Sequence, residues 1–94
     1  MKFTFRPRAQ ADLVRLYAFL EANSPSAAAR ASALLTEAIG TFDLFPDRNR
    51  RAPGGARELI VPFGAGEYVV RYRHVPRRGE IIVHRIWHSR ENRG

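Results

Sequence analysis

The stretch of this sequence that decides the fold is its end, Glu-Ile-Ile-Val-His-Arg-Ile-Trp-His-Ser-Arg-Glu-Asn-Arg-Gly, residues 80–94. Its first eight residues are rich in β-branched and aromatic side chains and contain neither Gly nor Pro, which predicts a strand with at least one buried face. The remainder is polar and basic, and it combines His88, Arg90 and Arg93 with the only tryptophan, Trp87. We therefore expect the function to depend on this tail as it leaves the sheet.

The composition is that of one globular domain. The chain has 94 residues, 45% of them hydrophobic, which suffices for a single modest core over residues 1–94. It has no cysteine, so neither disulfides nor thiolate chemistry are available. No apolar run has the length of a signal-peptide core or a membrane span. We expect a cytoplasmic protein with no membrane partner.

The positive charge is concentrated in the second half of the chain. Residues 1–47 carry five basic and five acidic side chains, whereas residues 48–94 carry eleven arginines against four glutamates, so the formal net charge of +7 arises there. Arginine is suited to bidentate contacts with carboxylates and phosphates. The charge predicts an acidic protein or a nucleic acid as partner, with a solubilising surface as the alternative.

The first half of the chain begins with a predicted strand and helix. Residues 2–5 alternate as a short strand does, and Pro7 suits the first turn of a helix. From Arg8 to about Asn23, apolar residues recur at i, i+3, i+4 and i+7, which predicts an amphipathic helix. The stripe consists of Leu13, Leu16, Tyr17 and Leu20.

A second helix is predicted directly after the first. Ser24 suits the N-cap position and Pro25 the first helical position, and the helix is expected to continue to Phe45 and to end at Pro46. Its apolar stripe consists of Ala31, Leu34, Leu35, Ala38, Ile39, Phe42 and Phe45. So short a connection predicts an antiparallel helical hairpin. Gly40 within this helix indicates either a close contact or a bend.

The second half predicts three strands. Residues 47–56 lack periodicity and are predicted to be a basic loop, and apolar runs follow at 57–63, 67–75 and 80–87. On the middle run, Tyr68, Val70 and Tyr72 share one face, and Val69, Arg71 and Arg73 share the other. The predicted fold is α+β in the order β-α-α-β-β-β. The helical hairpin packs on one face of a small, mainly antiparallel sheet, and the other face is basic.

The order and spacing of these segments resemble the RelE/ParE family of type II toxin–antitoxin toxins. The segments that carry the resemblance are Ala-Asp-Leu at 11–13, Ser-Pro at 24–25, Phe-Pro at 45–46, Arg-Glu-Leu-Ile-Val at 57–61, Tyr-Val-Val-Arg-Tyr-Arg at 68–73 and Ile-Trp-His-Ser-Arg at 86–90. The resemblance covers Phe3 to Arg93. It implies a bacterial toxin that a co-expressed, ParD-like antitoxin holds inactive in a hetero-oligomer.

The two branches of this family have different targets. RelE-like members cut messenger RNA on the ribosome, and the resemblance would then make His88 the acid–base group and Arg90 a phosphate-binding group. Where those nucleases carry lysines and an arginine on the sheet, this chain has Glu58, Ile60 and Val69. The tyrosine that they carry beyond the tail arginine has no counterpart here.

The ParE branch is the closer resemblance, because its hydrophobic-His-Gly-Arg ending corresponds to Trp-His-Ser-Arg at 87–90. Toxins of that branch block DNA gyrase by binding, without chemistry. The resemblance therefore favours a gyrase inhibitor that is not an enzyme, with a ribosome-dependent messenger RNA endoribonuclease as the alternative. Ser89 in place of Gly and Asn49-Arg50 in place of Gly-Arg are departures from the family pattern.

The expected binding residues form two groups. The target-binding group is Arg85, Trp87, His88, Arg90 and Arg93. The antitoxin-binding group is Leu13, Tyr17 and Leu20 on the first helix, with Arg71 and Arg73 on the sheet. Acidic antitoxin side chains are expected at Arg71, Arg73 or Arg85, and part of the helix stripe must instead pack on the sheet. No His, Asp or Glu cluster has metal-ligand spacing, and we expect no metal and no cofactor.

Overall fold

The computed structural model describes residues 1–91 and shows two helices on one face of a five-stranded sheet. In chain order, the elements are β1 (Lys2–Phe5), α1 (Pro7–Asn23), α2 (Pro25–Gly40), β2 (Arg50–Arg51), β3 (Arg57–Phe63), β4 (Gly66–Val75) and β5 (Glu80–His88). The strand order is β1-β5-β4-β3-β2, in which β1 is parallel to β5 and the other neighbours are antiparallel. The predicted α+β fold is confirmed.

The junction between the helices forms as predicted. The Ser24 hydroxyl accepts a hydrogen bond of 3.2 Å from the backbone N–H of Ala27, and Pro25 is the first residue of α2. The Ser24 N–H donates to the Leu20 carbonyl at 2.7 Å and closes the last turn of α1. One residue therefore ends the first helix and begins the second. Neither described helix has the length and apolar character that crossing a bilayer requires.

The second helix is shorter than predicted. It ends at Gly40, and Thr41–Asp43 form a turn of 3-10 helix in which the Thr41 hydroxyl donates to the Ala38 carbonyl at 2.6 Å. The predicted continuation to Phe45 is wrong because the chain leaves the helical path here, so Phe42 is buried and Phe45 is exposed. Leu34, also in the predicted stripe, is exposed as well.

Residues 47–56 contain a strand that the sequence pattern does not predict. The two-residue strand β2 pairs antiparallel with β3, with Arg50 opposite Glu58 and Arg51 opposite Arg57. Gly54 then adopts a left-handed conformation, with φ of 73°, and the chain turns back into β3. The prediction of a plain loop is wrong because two residues are too few to show an alternation.

The core lies between the helices and the sheet. Its largest fully buried side chains are Tyr72, Phe42, Ile81, Ile86, Val70 and Val83. The Phe42 and Tyr72 rings lie 4.3 Å apart between centroids. The Tyr72 hydroxyl donates to the Pro46 carbonyl at 2.7 Å and accepts from Asn49 Nδ2 at 3.0 Å, so a core residue also holds the segment that leads into β2.

Strand β5 contains a bulge at His84. Arg71 of β4 is paired with Arg85, and the adjacent Tyr72 is paired with Val83, so His84 has no partner on β4. In a regular strand, successive side chains alternate between the two faces, so a strand that buries Val83 would also direct Arg85 into the core and Ile86 away from it. The bulge reverses this order, and both Val83 and Ile86 are fully buried.

Candidate functional site

The C-terminal residues are folded against the β3–β4 turn through His88. Its Nε2 lies 3.1 Å from the Phe63 carbonyl oxygen, and its Nδ1 accepts a hydrogen bond of 3.2 Å from the Arg90 N–H. A carbonyl only accepts, so Nε2 carries the proton and the ring is the neutral tautomer. The ring also packs edge-on against Tyr68, at 4.9 Å between centroids. Both imidazole nitrogens are thus used within the fold.

A glycine opposite the tail allows this close approach. A Cβ atom built on Gly66 would lie 2.5 Å from the Ser89 hydroxyl and 2.8 Å from His88 Cε1. The Ser89 N–H donates to the Glu67 carbonyl at 2.8 Å, and its hydroxyl accepts from the Glu67 N–H at 3.0 Å. The departure from the family's Gly at position 89 therefore supplies a hydrogen bond to β4.

Helix α1 is joined to β5 by the buried carboxylate of Asp12. It accepts from Arg15 Nη1 at 2.6 Å, from Arg85 Nε at 2.8 Å and from the Ile86 N–H at 2.8 Å. Burial alone would raise the pKa of Asp12, but the hydrogen bonds from Arg85, Arg15 and Ile86 outweigh it and lower the pKa to about 2. Arg15 also forms an ion pair with Glu91, in which Arg15 Nε lies 2.8 Å from Glu91 Oε2. Arg85 is therefore already paired within the protein.

A second carboxylate, Glu58, joins two arginines on the face of the sheet turned away from the helices, hereafter the open face. Its Oε1 lies 2.6 Å from Arg50 Nη2 and its Oε2 lies 2.6 Å from Arg71 Nη2. Burial alone would raise the pKa of Glu58, but the hydrogen bonds from Arg71 and Arg50 outweigh it and hold the pKa below its usual value. The Arg71 guanidinium also lies over the Trp87 ring, 5.1 Å from the centroid.

The predicted target-binding residues are only partly brought together. His88 and Arg90 line a cavity of about 640 Å³ between α1 and the β3–β4 turn, together with Phe19 and Phe63. Trp87 is 7% exposed, and it lies under Arg71 rather than at this cavity. Arg93 lies outside the described residues.

The predicted antitoxin-binding residues fall on both sides of the sheet. Leu13, Tyr17 and Leu20 line a groove of about 830 Å³ between α1 and α2. Leu13 and Leu20 are half-buried against the core, whereas Tyr17 is exposed. Arg71 and Arg73 lie on the open face, away from this groove. No group of His, Cys, Asp and Glu within residues 1–91 is arranged to hold a metal ion.

Several residues of these surfaces are absent from the prediction. Val14 is 71% exposed and Phe19 is 68% exposed, and both lie beside the cavities of α1. Val14 and Phe19 lie outside the main apolar stripe of α1, and two large apolar residues there could have indicated a helix with a second apolar face. Asp12 left no such signal, because only the fold brings Arg85 and Ile86 to it.

A two-helix hairpin on a sheet of this order, with a His-Ser-Arg segment returning to it, is the architecture of RelE/ParE toxins. The sequence model of the family described as the ParE toxin of the type II toxin–antitoxin system parDE matches residues 3–93. The chain belongs to this ParE toxin family, and the predicted resemblance is confirmed.

Known relatives and a solved structure agree with this assignment. Toxin RelE1 of Caulobacter vibrioides is 40% identical over 86 residues, which cover 92% of this chain and 90% of the relative. Toxin RelE3 of the same organism is 40% identical over 87 residues, which cover 93% and 92%. A solved structure of the chromosomal ParDE system from P. aeruginosa shares the fold, with a TM-score of 0.76 and 21% identity over 94% of this chain and 95% of that one.

Proposed function

We propose that this toxin acts by binding DNA gyrase, without catalysing a reaction, and that a cognate ParD-like antitoxin neutralises it in the cytoplasm. The observation that carries the proposal is the bonding of His88, whose two ring nitrogens are joined to the Phe63 carbonyl and the Arg90 N–H. A general base needs a free lone pair within reach of the proton it removes. His88 has none available in this arrangement.

The charges of the open face support binding rather than RNA cleavage. Cleavage at a 2′-hydroxyl needs cations around the phosphate. Here Glu58 pairs with both Arg50 and Arg71, at the place where RelE-like nucleases carry lysines, and offsets one of their two positive charges. A carboxylate with a lowered pKa at that place repels a phosphate, so Arg71 is a poor phosphate ligand.

The proposed target surface is the cavity beside the tail. Arg90 and Phe19 are exposed at its margin, and an arginine next to an exposed aromatic ring is typical of a protein-binding site. Arg85 and Trp87 support this surface indirectly. Arg85 binds Asp12 of α1, and Trp87 packs under Arg71 of the open face. Arg93 remains a predicted contact of the same surface.

The decisive experiment compares the two activities with one purified preparation. We expect the toxin to block gyrase supercoiling or to increase gyrase-dependent DNA cleavage, and to leave messenger RNA on ribosomes intact. In cells, pulse expression should induce an SOS reporter before translation stops. Normal supercoiling at saturating toxin would remove the proposal.

A second candidate, ribosome-dependent RNA cleavage, is favoured by the two relatives that carry the name RelE. His88→Gln separates the candidates, because glutamine keeps an N–H donor for the Phe63 carbonyl but cannot act as an acid or base. Full toxicity of His88→Gln supports gyrase binding. Loss of toxicity in a folded His88→Gln protein, together with cleaved messenger RNA in the wild type, would establish the nuclease.

The groove between α1 and α2 is the proposed site for an apolar helix of the antitoxin. Tyr17 and Val14 are exposed at this groove and are available to a partner. We expect Tyr17→Asp to weaken antitoxin binding at least about ten-fold, since a charge would be buried in the complex. Leu44→Asp is the control, because Leu44 is also a large hydrophobic residue and is 75% exposed, but it is not part of the groove. Equal affinities of the two variants would refute the site.

A further inference from the structure

Two buried tyrosines lie on the same face of β4, but only one of their hydroxyls is used by the fold. The Tyr72 hydroxyl donates to the Pro46 carbonyl at 2.7 Å and accepts from Asn49 Nδ2 at 3.0 Å. Within residues 1–91, the Tyr68 hydroxyl has no hydrogen-bond partner, although Tyr68 is only 2% exposed. Buried hydroxyls normally have a partner, so the Tyr68 hydroxyl is a donor that the toxin itself leaves unused.

The Tyr68 hydroxyl reaches the surface of a cavity. Among the side chains that the structure describes, His84 Nε2 is the one fully buried nitrogen or oxygen atom without a partner. The Tyr68 hydroxyl also lacks a partner, so it is not fully buried and borders open space. Tyr68 lines both the groove between α1 and α2 and the cavity beside the tail.

The ring contacts of Tyr68 favour the cavity beside the tail. The Tyr68 ring lies 5.5 Å from the Phe63 ring and 4.9 Å from the His88 ring, between centroids. Phe63 and His88 line this cavity and do not line the groove between the helices. Burial, and then the negative charge of Glu91 in the same cavity, raise the pKa of Tyr68, so the phenol stays protonated as a donor.

The other polar side chains of this cavity are mostly paired with one another. Arg15 Nε and Nη2 bind the Glu91 carboxylate at 2.8 and 3.1 Å, and both ring nitrogens of His88 are bonded to backbone groups. Arg90 forms no ion pair within residues 1–91. Two arginines and one glutamate line the cavity, which leaves one net positive charge. The Tyr68 hydroxyl and the Arg90 guanidinium are therefore the polar side-chain groups available to a ligand.

The remaining walls of the cavity are apolar. Leu16, Leu20 and Phe63 line it, and Phe19 at its margin is 68% exposed. Its volume of about 640 Å³ lies within the range of roughly 300–1,000 Å³ that is typical of ligand pockets. Apolar walls with a few polar groups suit an aromatic side chain, which is also the usual anchor of a protein–protein interface.

We propose that this cavity binds an aromatic side chain of the target protein together with a carboxylate next to it, and that the Tyr68 hydroxyl donates to this carboxylate. Arg90 balances the charge of the carboxylate from the margin. The inference rests on the proposed function, since the target protein is the partner expected at this cavity. A nucleic acid strand is disfavoured, because a row of phosphates would meet one unpaired arginine and apolar walls.

The first test uses the free, full-length toxin and 2-naphthoate, an aromatic ring that carries one carboxylate. Titration followed by NMR should shift the backbone amide signals of Gly64, Ala65 and Glu91, which line the cavity. The neutral 2-naphthamide keeps the ring and the carbonyl, and we expect it to bind at least about five-fold more weakly because its hydrogen bonds are not charged. Equal affinities of the two probes would contradict the carboxylate.

The two tyrosines provide a matched pair of variants. Tyr68→Phe removes a hydroxyl without an internal partner, so it should weaken 2-naphthoate binding about five- to twenty-fold and leave the thermal unfolding midpoint unchanged. Tyr72→Phe removes two internal hydrogen bonds and should do the reverse. Unchanged 2-naphthoate affinity in Tyr68→Phe, or a midpoint lowered as far as in Tyr72→Phe, would overturn the proposal.

A second pair of variants tests the charge at the margin. Arg90→Gln should weaken the binding of 2-naphthoate but not that of 2-naphthamide. Arg77→Gln removes an equal charge from the exposed turn at 76–78 and should leave both affinities within about two-fold. Equal weakening by Arg77→Gln would mean that general charge attraction, rather than this cavity, binds the probe.

The last test connects the cavity to the target. Saturating 2-naphthoate should relieve gyrase inhibition, and Tyr68→Phe should require about five- to twenty-fold more toxin for the same inhibition. Signal shifts confined to Val14 and Tyr17 would assign the hydroxyl to the groove between the helices and overturn the proposal.

Three further outcomes complete the test. A probe that needs the Tyr68 hydroxyl but leaves gyrase inhibition intact would be an adventitious additive only. Displacement of 2-naphthoate by a short DNA duplex would assign the cavity to nucleic acid. Wild-type toxin without any effect on gyrase would refute the proposed function, whereas the NMR titrations of the free toxin decide the chemistry of the cavity separately.

Discussion

The side-chain carboxylate of Asp12 accepts a hydrogen bond of 2.8 Å from the backbone N–H of Ile86, and so occupies the free edge of β5. Strand β1 is paired only with residues 80–83 of β5, and Ile86 lies beyond its end. A buried N–H without a partner would cost about 1–3 kcal/mol. Beyond the end of β1, Asp12 of α1 therefore supplies the hydrogen-bond acceptor for β5. The same bond attaches α1, the helix that lines both cavities, to the sheet.

Replacing Asp12 by Asn should destabilise the toxin. The amide keeps one acceptor but loses the charge that binds Arg15 and Arg85, and we expect the free energy of unfolding to fall by about 2–3 kcal/mol. Urea unfolding measures this change. Asp43→Asn is the control, because Asp43 is exposed and its nearest cation is 3.7 Å away, so less than about 0.5 kcal/mol is expected. Equal changes in the two variants would contradict the role of Asp12.

The same carboxylate predicts an acid-sensitive contribution to stability. The pKa of Asp12 is lowered from 3.8 to about 2, so its stabilisation is fully present above pH 4 and is lost as the pH falls towards 2. The contribution is about 2 kcal/mol. Thermal unfolding of the wild type and Asp12→Asn from pH 5 to pH 2 should show curves that converge at the acid end. Parallel curves would mean that Asp12 has an ordinary pKa.

His84 predicts a second pH dependence, nearer to neutrality. Its pKa is lowered below 6.5 by burial and by Arg73, Arg6 and Arg71, so the unfolded chain binds a proton that the folded chain does not. Stability should therefore decrease as the pH falls below about 6.5. His84→Gln should remove this decrease between pH 7 and pH 5, as measured by urea unfolding. The other two histidines stay in both proteins, and an unchanged slope would exclude His84 as its source.

Gly66 should be intolerant of a side chain. A Cβ atom there would meet the Ser89 hydroxyl at 2.5 Å and His88 Cε1 at 2.8 Å, and the tail would have to move. We expect Gly66→Ala to cost about 1–3 kcal/mol and to weaken target inhibition. Gly40→Ala is the matched control, since nothing lies within 4 Å of its Cβ position at the end of α2. It should be neutral or stabilise by up to about 1 kcal/mol. Thermal unfolding that ranks the two variants in the reverse order would refute the packing argument.

Much of the fold was predictable because its signals are local. The Ser24-Pro25 junction specifies a helix end and a helix start within two residues, and the structure confirms both. The alternation of Tyr68, Val70 and Tyr72 identifies the buried face of β4, because successive strand residues point to opposite sides. The end of α2 was predicted too late, since an apolar residue at Phe42 fits a helix and a 3-10 turn equally well.

The sequence by itself determined the order of elements, the helical hairpin, the core face of β4 and the membership of a toxin family. Those features depend on periodicity, caps and segment spacing, which involve neighbouring residues. Only the tertiary structure decided which arginines are paired with carboxylates, because Asp12 meets Arg85, and Glu58 meets Arg71, across different elements. The same holds for His88, whose ring nitrogens are used by backbone groups that the fold brings to it. The C-terminal segment from His88 to Glu91 is therefore held against the sheet and α1, because side-chain atoms of His88, Ser89 and Glu91 are hydrogen-bonded within the toxin.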